Sequence, residues 1–468
     1  MSPSPSLSSL RIVTAVLLLA LAGCKPTTDD DADTCRPEDA QQPCEKQQGV
    51  CAGSTRTCVD RQYEPVCTSA SYGQAYEPLE LSCNGLDNDC DGTVDVGHLS
   101  PPLDPTTFEL LTFELGFGAL STRSTPEGVT VVYLVLTPDF AAVGEPVDAG
   151  RSWPAGTTFS ATKLPRGGAL VRVHDPAEPG VLRFENTGTG ARLAGPPLPL
   201  PVEGSLASLA PLSDGQRIVA AWLGADGDIH ASVLDESGAV VTGPAVLPMR
   251  AQGETFEFSH LVLVSWDEGF AVSVAGSGAY ASQLQVWARR FDSTLTPVGE
   301  RETYPVAVPE YPRTSSPYLV GLSALHAEGG PLTLVWTTLA MGYTGHQYWY
   351  LEAVQPFTQT PSPRRLGTEL LEYGDTAFGG LTMTTGPSGE PLVAYLGVTS
   401  SEEQPRRADM ALRLGPPRGD WEQYPLEKGV PHVPLQQYFL ASIPGHPRVV
   451  GAVYPTDSGW GVTTLCLP

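Results

Sequence analysis

Residues 205–244 read SLASLAPLSDGQRIVAAWLGADGDIHASVLDESGAVVTGP, and this stretch decides the fold. One apolar run ends at Asp214-Gly215, a second is Arg217 to Leu223, a third is Ile229 to Leu234, and a fourth follows Gly238. Short apolar runs separated by Asp-Gly and Ser-Gly signals read as antiparallel strands joined by tight turns. The second run recurs as ALVRVHD from 169, GFAVSVA from 269, PLTLVWT from 331, PLVAYLG from 391 and RVVGAVY from 448. Trp222, Val274, Trp336, Tyr395 and Tyr454 mark it every 52 to 62 residues. A strand buried on both faces is apolar throughout, as these are. With a further unit from about Thr107, the pattern predicts an all-β domain over 98–468, a β-propeller of about seven blades. A pair of β-sandwiches or an irregular β-solenoid is the alternative. The last unit is one strand short, and His98 to Thr106 is placed to complete it from the other end of the chain.

The chain of 468 residues has 49 Gly and 45 Pro spread along its length, as many short strands and turns require. Its formal charge of −25 excludes nucleic acid as a natural partner and favours bound cations. Nine cysteines are confined to residues 24–90 and to Cys466. Cys35, Cys44, Cys51, Cys58, Cys67, Cys83 and Cys90 have few large apolar residues between them, so a module over 35–97 needs disulfides to hold it. With Cys466 they make an even set, and a bond from Cys466 back to this module, to Cys67 for instance, would lock the ring. No C-x-x-C is present, which leaves a zinc site with little support.

Within the module, residues 83–95 read CNGLDNDCDGTVD. Asp87, Asp89, Asp91, Gly92, Thr93 and Asp95 occupy the leading positions of an EF-hand-like loop. Alternate carboxylates on a tight loop converge on one centre, Gly92 permits the turn, and Thr93 offers a backbone carbonyl. His98 stands where the bidentate Glu belongs, and no flanking helices are apparent. Calcium is the expected ion, with Asp87, Asp89, Asp91, Thr93 and Asp95 as ligands and a Cys83–Cys90 disulfide as a clip. The alternative is an acidic closed turn that binds nothing.

Those thirteen residues resemble the metal-binding repeat of bacterial surface proteins related to the copper-associated outer-membrane protein MopE. The resemblance implies the same four aspartates as ligands and the same cysteine clip. Hard oxygen donors favour Ca²⁺ over copper. The N-terminus resembles a lipoprotein signal. Arg11 precedes an apolar run from Ile12 to Ala22, and Leu21-Ala22-Gly23-Cys24 matches a lipobox. Residues 1–23 are then removed and Cys24 is acylated, making the bilayer a partner. Lys25 after it favours the outer membrane, with the chain facing the periplasm or the cell surface. Residues 24–34, with four aspartates, form an acidic tether.

No nucleophile elbow, zincin helix, Walker loop or dinucleotide fingerprint occurs. The histidines are scattered, including His432 and His446, and the tryptophans suit strand packing. These absences lead to the expectation of a non-enzymatic surface lipoprotein that binds an unknown protein or glycan or serves as a scaffold. Two alternatives remain: a hydrolase or lyase acting on polysaccharide at the propeller's axial face, and a copper-acquisition protein.

Overall fold

The computed structural model describes Cys35 and residues 41–164, 166–175, 180–195, 198–199, 207–251, 253–266, 269–278, 284–306, 318–326, 332–341, 347–358, 361, 363–371, 378–385, 391–400, 407–415, 422–425, 430–431, 439–446 and 448–467. Cys24 and the acidic tether lie outside them, as does His432.

The stretch at 205–244 folds as its turns dictate. Ala207–Pro211, Ile218–Leu223, Ile229–Leu234 and Val240–Leu247 pair in sequence order as one antiparallel sheet. The same order recurs in sheets whose first strands are Thr107–Phe113, Thr158–Lys163, Glu257–Trp266, Tyr318–His326 and Phe378–Thr385. A seventh sheet begins at Phe439–Ser442. First strands touch in succession around the set, and Phe439–Ser442 returns to Thr107–Phe113. The chain is a β-propeller, and these innermost strands enclose its axis.

Each blade is too thin to bury its own faces, so the cores lie between blades. Leu120, Val131 and Tyr133 of the first blade meet Val171, Leu182 and Phe184 of the second. Val219 and Val233 of the third meet Phe270 and the fully buried Trp287 of the fourth. Phe117 and Phe140 of the first blade meet Val449, Val453 and Trp460 of the seventh, with Leu79 of the N-terminal module buried among them.

The ring is closed by the N-terminal side of the chain. Val96–Leu99 pairs antiparallel with Gly459–Cys466 as the outermost strand of the seventh blade. This strand starts two residues earlier than His98 and ends before Pro101, because Pro101, Pro102 and Pro105 have no amide hydrogen to donate. Gly97 has no alternative here. A Cβ on it would lie 2.5 Å from the Glu80 nitrogen and 2.8 Å from Thr464 Oγ1.

The disulfides correct the expected pairing. Cys83 and Cys90 are not joined; Cys90 bonds Cys51, and Cys83 bonds Cys466. Cys35–Cys58 and Cys44–Cys67 complete the set, so Cys67 is not the partner of Cys466. The loop needs no internal clip because its own carboxylates close it. Asp95 Oδ1 accepts from the amides of Asn84 and Gly85, both at 3.1 Å. The two sulfurs are thereby released to tie the loop outward, one to the module and one to the propeller.

Candidate functional site

Two places gather chemistry: the acidic loop and the beginning of the innermost strands.

In the loop, Asp87 Oδ1 and Oδ2 accept the amides of Asp91 (3.1 Å) and Gly92 (3.0 Å), which curls the chain as the Asp-Gly spacing anticipates. Gly49, at φ +51°, lets the Gly49–Cys51 turn approach; a Cβ there would lie 2.1 Å from the Asp87 carbonyl oxygen. Asp87 and Asp89 are thereby buried, at 6% and 1% exposure. Glu80, fully buried, joins them from outside the motif. Carboxylate oxygens of Glu80, Asp87 and Asp89 lie within 4.8 Å of one another.

The expected ligand set is therefore divided. Asp87 and Asp89 converge, whereas Asp91 and Asp95 stand outside the cluster. Asp91 Oδ1 accepts the Thr93 amide at 2.7 Å, and Thr93 itself is exposed. Glu80 carried no motif signal; its mark in the sequence is an acid set between Leu79 and Leu81.

Burial, with Asp89 and Glu77 nearby, pushes the Glu80 carboxyl up to about 7. Burial and the Asp91 charge push Asp89 up to about 6. Glu80 Oε2 accepts the Asn88 amide at 2.8 Å, but among the described residues Glu80 Oε1 has no hydrogen-bond partner, nor does Asn88 Oδ1. Lys46 Nζ donates to the Asp89 carbonyl oxygen, 2.6 Å away, and its charge partly opposes the upward shift of the Asp89 carboxyl. Three buried carboxyls with an orphan oxygen fit a hard divalent cation, because a buried charge needs a counter-charge or a proton. Cys44, Glu64 and Cys67 also lie together, but both sulfurs are in a disulfide and ligate nothing.

Every blade begins with its innermost strand, so the starts of these strands lie at one end of the axis. Four of them carry an extra residue within the first few positions, which shifts register between Thr107 and Glu109, Phe258 and His260, Leu319 and Gly321, and Gly379 and Leu381. Such bulges re-aim side chains. Glu109, half-buried, stands opposite Leu120 on the face turned to the second blade. Burial pushes its carboxyl up to about 7, and the Leu110 amide is the donor that opposes the shift. His260 Nε2 donates to the Val320 carbonyl at 3.4 Å, and its Nδ1 lies 2.9 Å from Ser259 Oγ. Burial holds its pKa below the usual imidazole range. In the second blade Ser160 Oγ lies 2.8 Å from His174 Nε2. Neither Glu109 nor His260 is part of a short motif, because the bulges that place them appear only once strands pair. His446 is structural: its Nδ1 donates to the Leu81 carbonyl at 3.0 Å.

No family model matches the chain, and no curated protein does. Solved structures that share the fold include an α-L-arabinanase of Penicillium chrysogenum, at 12% identity and TM-score 0.39 over 78% of this chain and 96% of that one. The polysaccharide lyase Uly1 matches at 8% identity and TM-score 0.43, over 81% and 93%. The SapL1 lectin, solved with α-methyl fucoside, matches at 12% and 0.33, over 68% and 94%. The likeness is one of fold alone. The expectation of a chain that is not an enzyme rested on missing motifs, and it is corrected to this extent: the solved structures that share the fold include hydrolases and a lyase, so missing motifs do not exclude an activity.

Proposed function

We propose that this chain is a lipid-anchored, extracytoplasmic β-propeller that hydrolyses neutral polysaccharide at the end of its axis where the innermost strands begin. The supporting observation is Glu109, a half-buried carboxyl next to the bulge that opens an innermost strand, whose pKa burial raises to about 7. Protonating a glycosidic oxygen at pH 7 takes an acid of this kind. In such a reaction the proton of Glu109 would pass to the leaving oxygen and water would supply the hydroxyl at the anomeric carbon, which requires a second carboxylate, roughly 5–10 Å from the first, to take the proton of that water. The charge of −25 repels polyuronates, and this favours hydrolysis of neutral chains over elimination from acidic ones.

The test is reducing-end release by the mature protein from neutral polysaccharides, arabinan among them. Activity should fall as pH rises through about 7, and Glu109→Gln should lower it about 10²–10⁴-fold. Release of no reducing ends from any substrate, or full activity in Glu109→Gln, overturns the reading.

The N-terminal module is proposed to hold Ca²⁺, supported by the convergence of Glu80, Asp87 and Asp89. Oxygen donors alone suit Ca²⁺ better than copper. Calorimetric titration with CaCl₂ should give one site, absent in Asp87→Asn with Asp89→Asn. The anchor is proposed at Cys24, so mass spectrometry of the mature chain should find an acylated Cys24 at its start.

A further inference from the structure

The structure assigns Glu80, a residue outside the acidic loop, as a direct ligand of the cation and as the link through which the ion holds the propeller ring closed. The inference rests on the cation reading above and deepens it.

Two features point to a ligand. Three carboxylates are each more than nine-tenths buried, with oxygens within 4.8 Å of one another. Among them Glu80 Oε1, on a fully buried side chain, has no hydrogen-bond partner among the described residues. An orphan carboxylate oxygen in a buried acidic pocket is unfavourable by itself and becomes favourable once it binds a hard cation. The Lys46 ammonium, which donates to the Asp89 carbonyl oxygen, brings one positive charge against three carboxyls.

The main chain of Glu80 lies on the seam. Its carbonyl oxygen accepts from buried Thr464 Oγ1 at 2.9 Å, in the third strand of the closing blade. Its nitrogen sits so close to Gly97 that no Cβ fits between them, and Gly97 belongs to the strand that closes the ring. Leu79 is buried in the core between the seventh and first blades. Cys83, three residues beyond Glu80, bonds Cys466 at the end of the same third strand. An ion gripping the Glu80 side chain therefore fixes the residue on which both sides of the seam rest.

The experiment uses the mature chain with disulfides intact and CaCl₂ as the probe. In calorimetry, Glu80→Gln should bind at least about tenfold more weakly than wild type. Asp91→Asn and Asp95→Asn should change affinity less. Binding unchanged in Glu80→Gln, with strong loss in Asp91→Asn and Asp95→Asn, overturns the assignment and returns the site to the alternating loop aspartates. Because a Glu80 variant risks misfolding, wild-type protein supplies a second arm. Hydrogen exchange at 96–99 and 459–466 should slow several-fold at saturating Ca²⁺ relative to chelator, consistent with a local opening coupled to the ion. Exchange at the seam that ignores Ca²⁺, in protein that binds it, overturns the coupling. Wild type that binds no Ca²⁺ overturns the cation reading as a whole, an outcome distinct from the other two.

Discussion

At the scale of single residues, stability in this acidic chain depends on which carboxylates have found a partner. Glu254, in the turn between the third and fourth blades, takes both guanidinium nitrogens of Arg301, at 2.5 and 2.8 Å, and Arg301 also donates to the Met249 carbonyl. Bidentate pairs of this kind are the strong ones. Arg301 holds the Glu254 carboxyl down at about 2. A depressed folded-state pKa means that the pair contributes fully above the ordinary glutamate range and is lost as pH falls from about 4.5 towards 2. Glu254→Gln should therefore cost about 1–2 kcal/mol in urea unfolding at pH 7 and nothing near pH 2. An equal cost at both values would assign the effect to packing instead. Contacts of this type were not legible in the sequence, nor was Glu80 in the acidic pocket. Asp87 and Asp89 announce themselves by spacing because a loop places them locally, whereas Glu80 arrives from a segment whose path depends on the docked propeller.

Among the elements, the second strands were the legible ones. Residues such as Val219, Ala221 and Val272 are fully buried because their strands lie between two blades, and burial on both faces leaves an unbroken apolar run in the sequence. Cysteine pairing was illegible for the opposite reason. Cys83 lies seven residues from Cys90 but bonds Cys466 across a separation of 383 residues, and no local pattern records a meeting made by ring closure. The closing strand shows the same dependence. Its register against Gly459–Cys466 brings Gly97 opposite Thr464, beneath the Glu80 backbone. Gly97→Ala should force that backbone aside at about 1–3 kcal/mol, the range of overpacking in a filled core. Gly188→Ala, where a Cβ meets nothing within 4 Å, is the matched control and should be close to neutral. Urea unfolding of the two variants compares them directly, and equal midpoints would mean that the seam is looser than drawn.

For the molecule as a whole, a ring has one weak place, the junction where its ends meet, and this chain fastens that junction in more than one way. Val96–Leu99 supplies hydrogen bonds, Cys83–Cys466 supplies a covalent bond, and the Glu80 pocket supplies the proposed ion site. In the chain-entropy model a loop this long makes the disulfide worth about 6 kcal/mol, an upper figure because strain and residual structure reduce it. Fasteners on one seam do not act independently, and double-mutant logic exposes their coupling. With the disulfide intact, removing the proposed Ca²⁺ should loosen the module while the ends stay joined. In Cys83→Ser with Cys466→Ser the proposed ion would become the remaining strong tie, and its removal should free both ends at once. Chelation should therefore lower the midpoint of thermal unfolding more in the serine variant than in wild type, with the acidic self-repulsion of the chain adding to the difference at low salt. Equal shifts would show that the ion and the disulfide hold separate parts of the molecule, and the seam would then rest on strand pairing and one covalent bond.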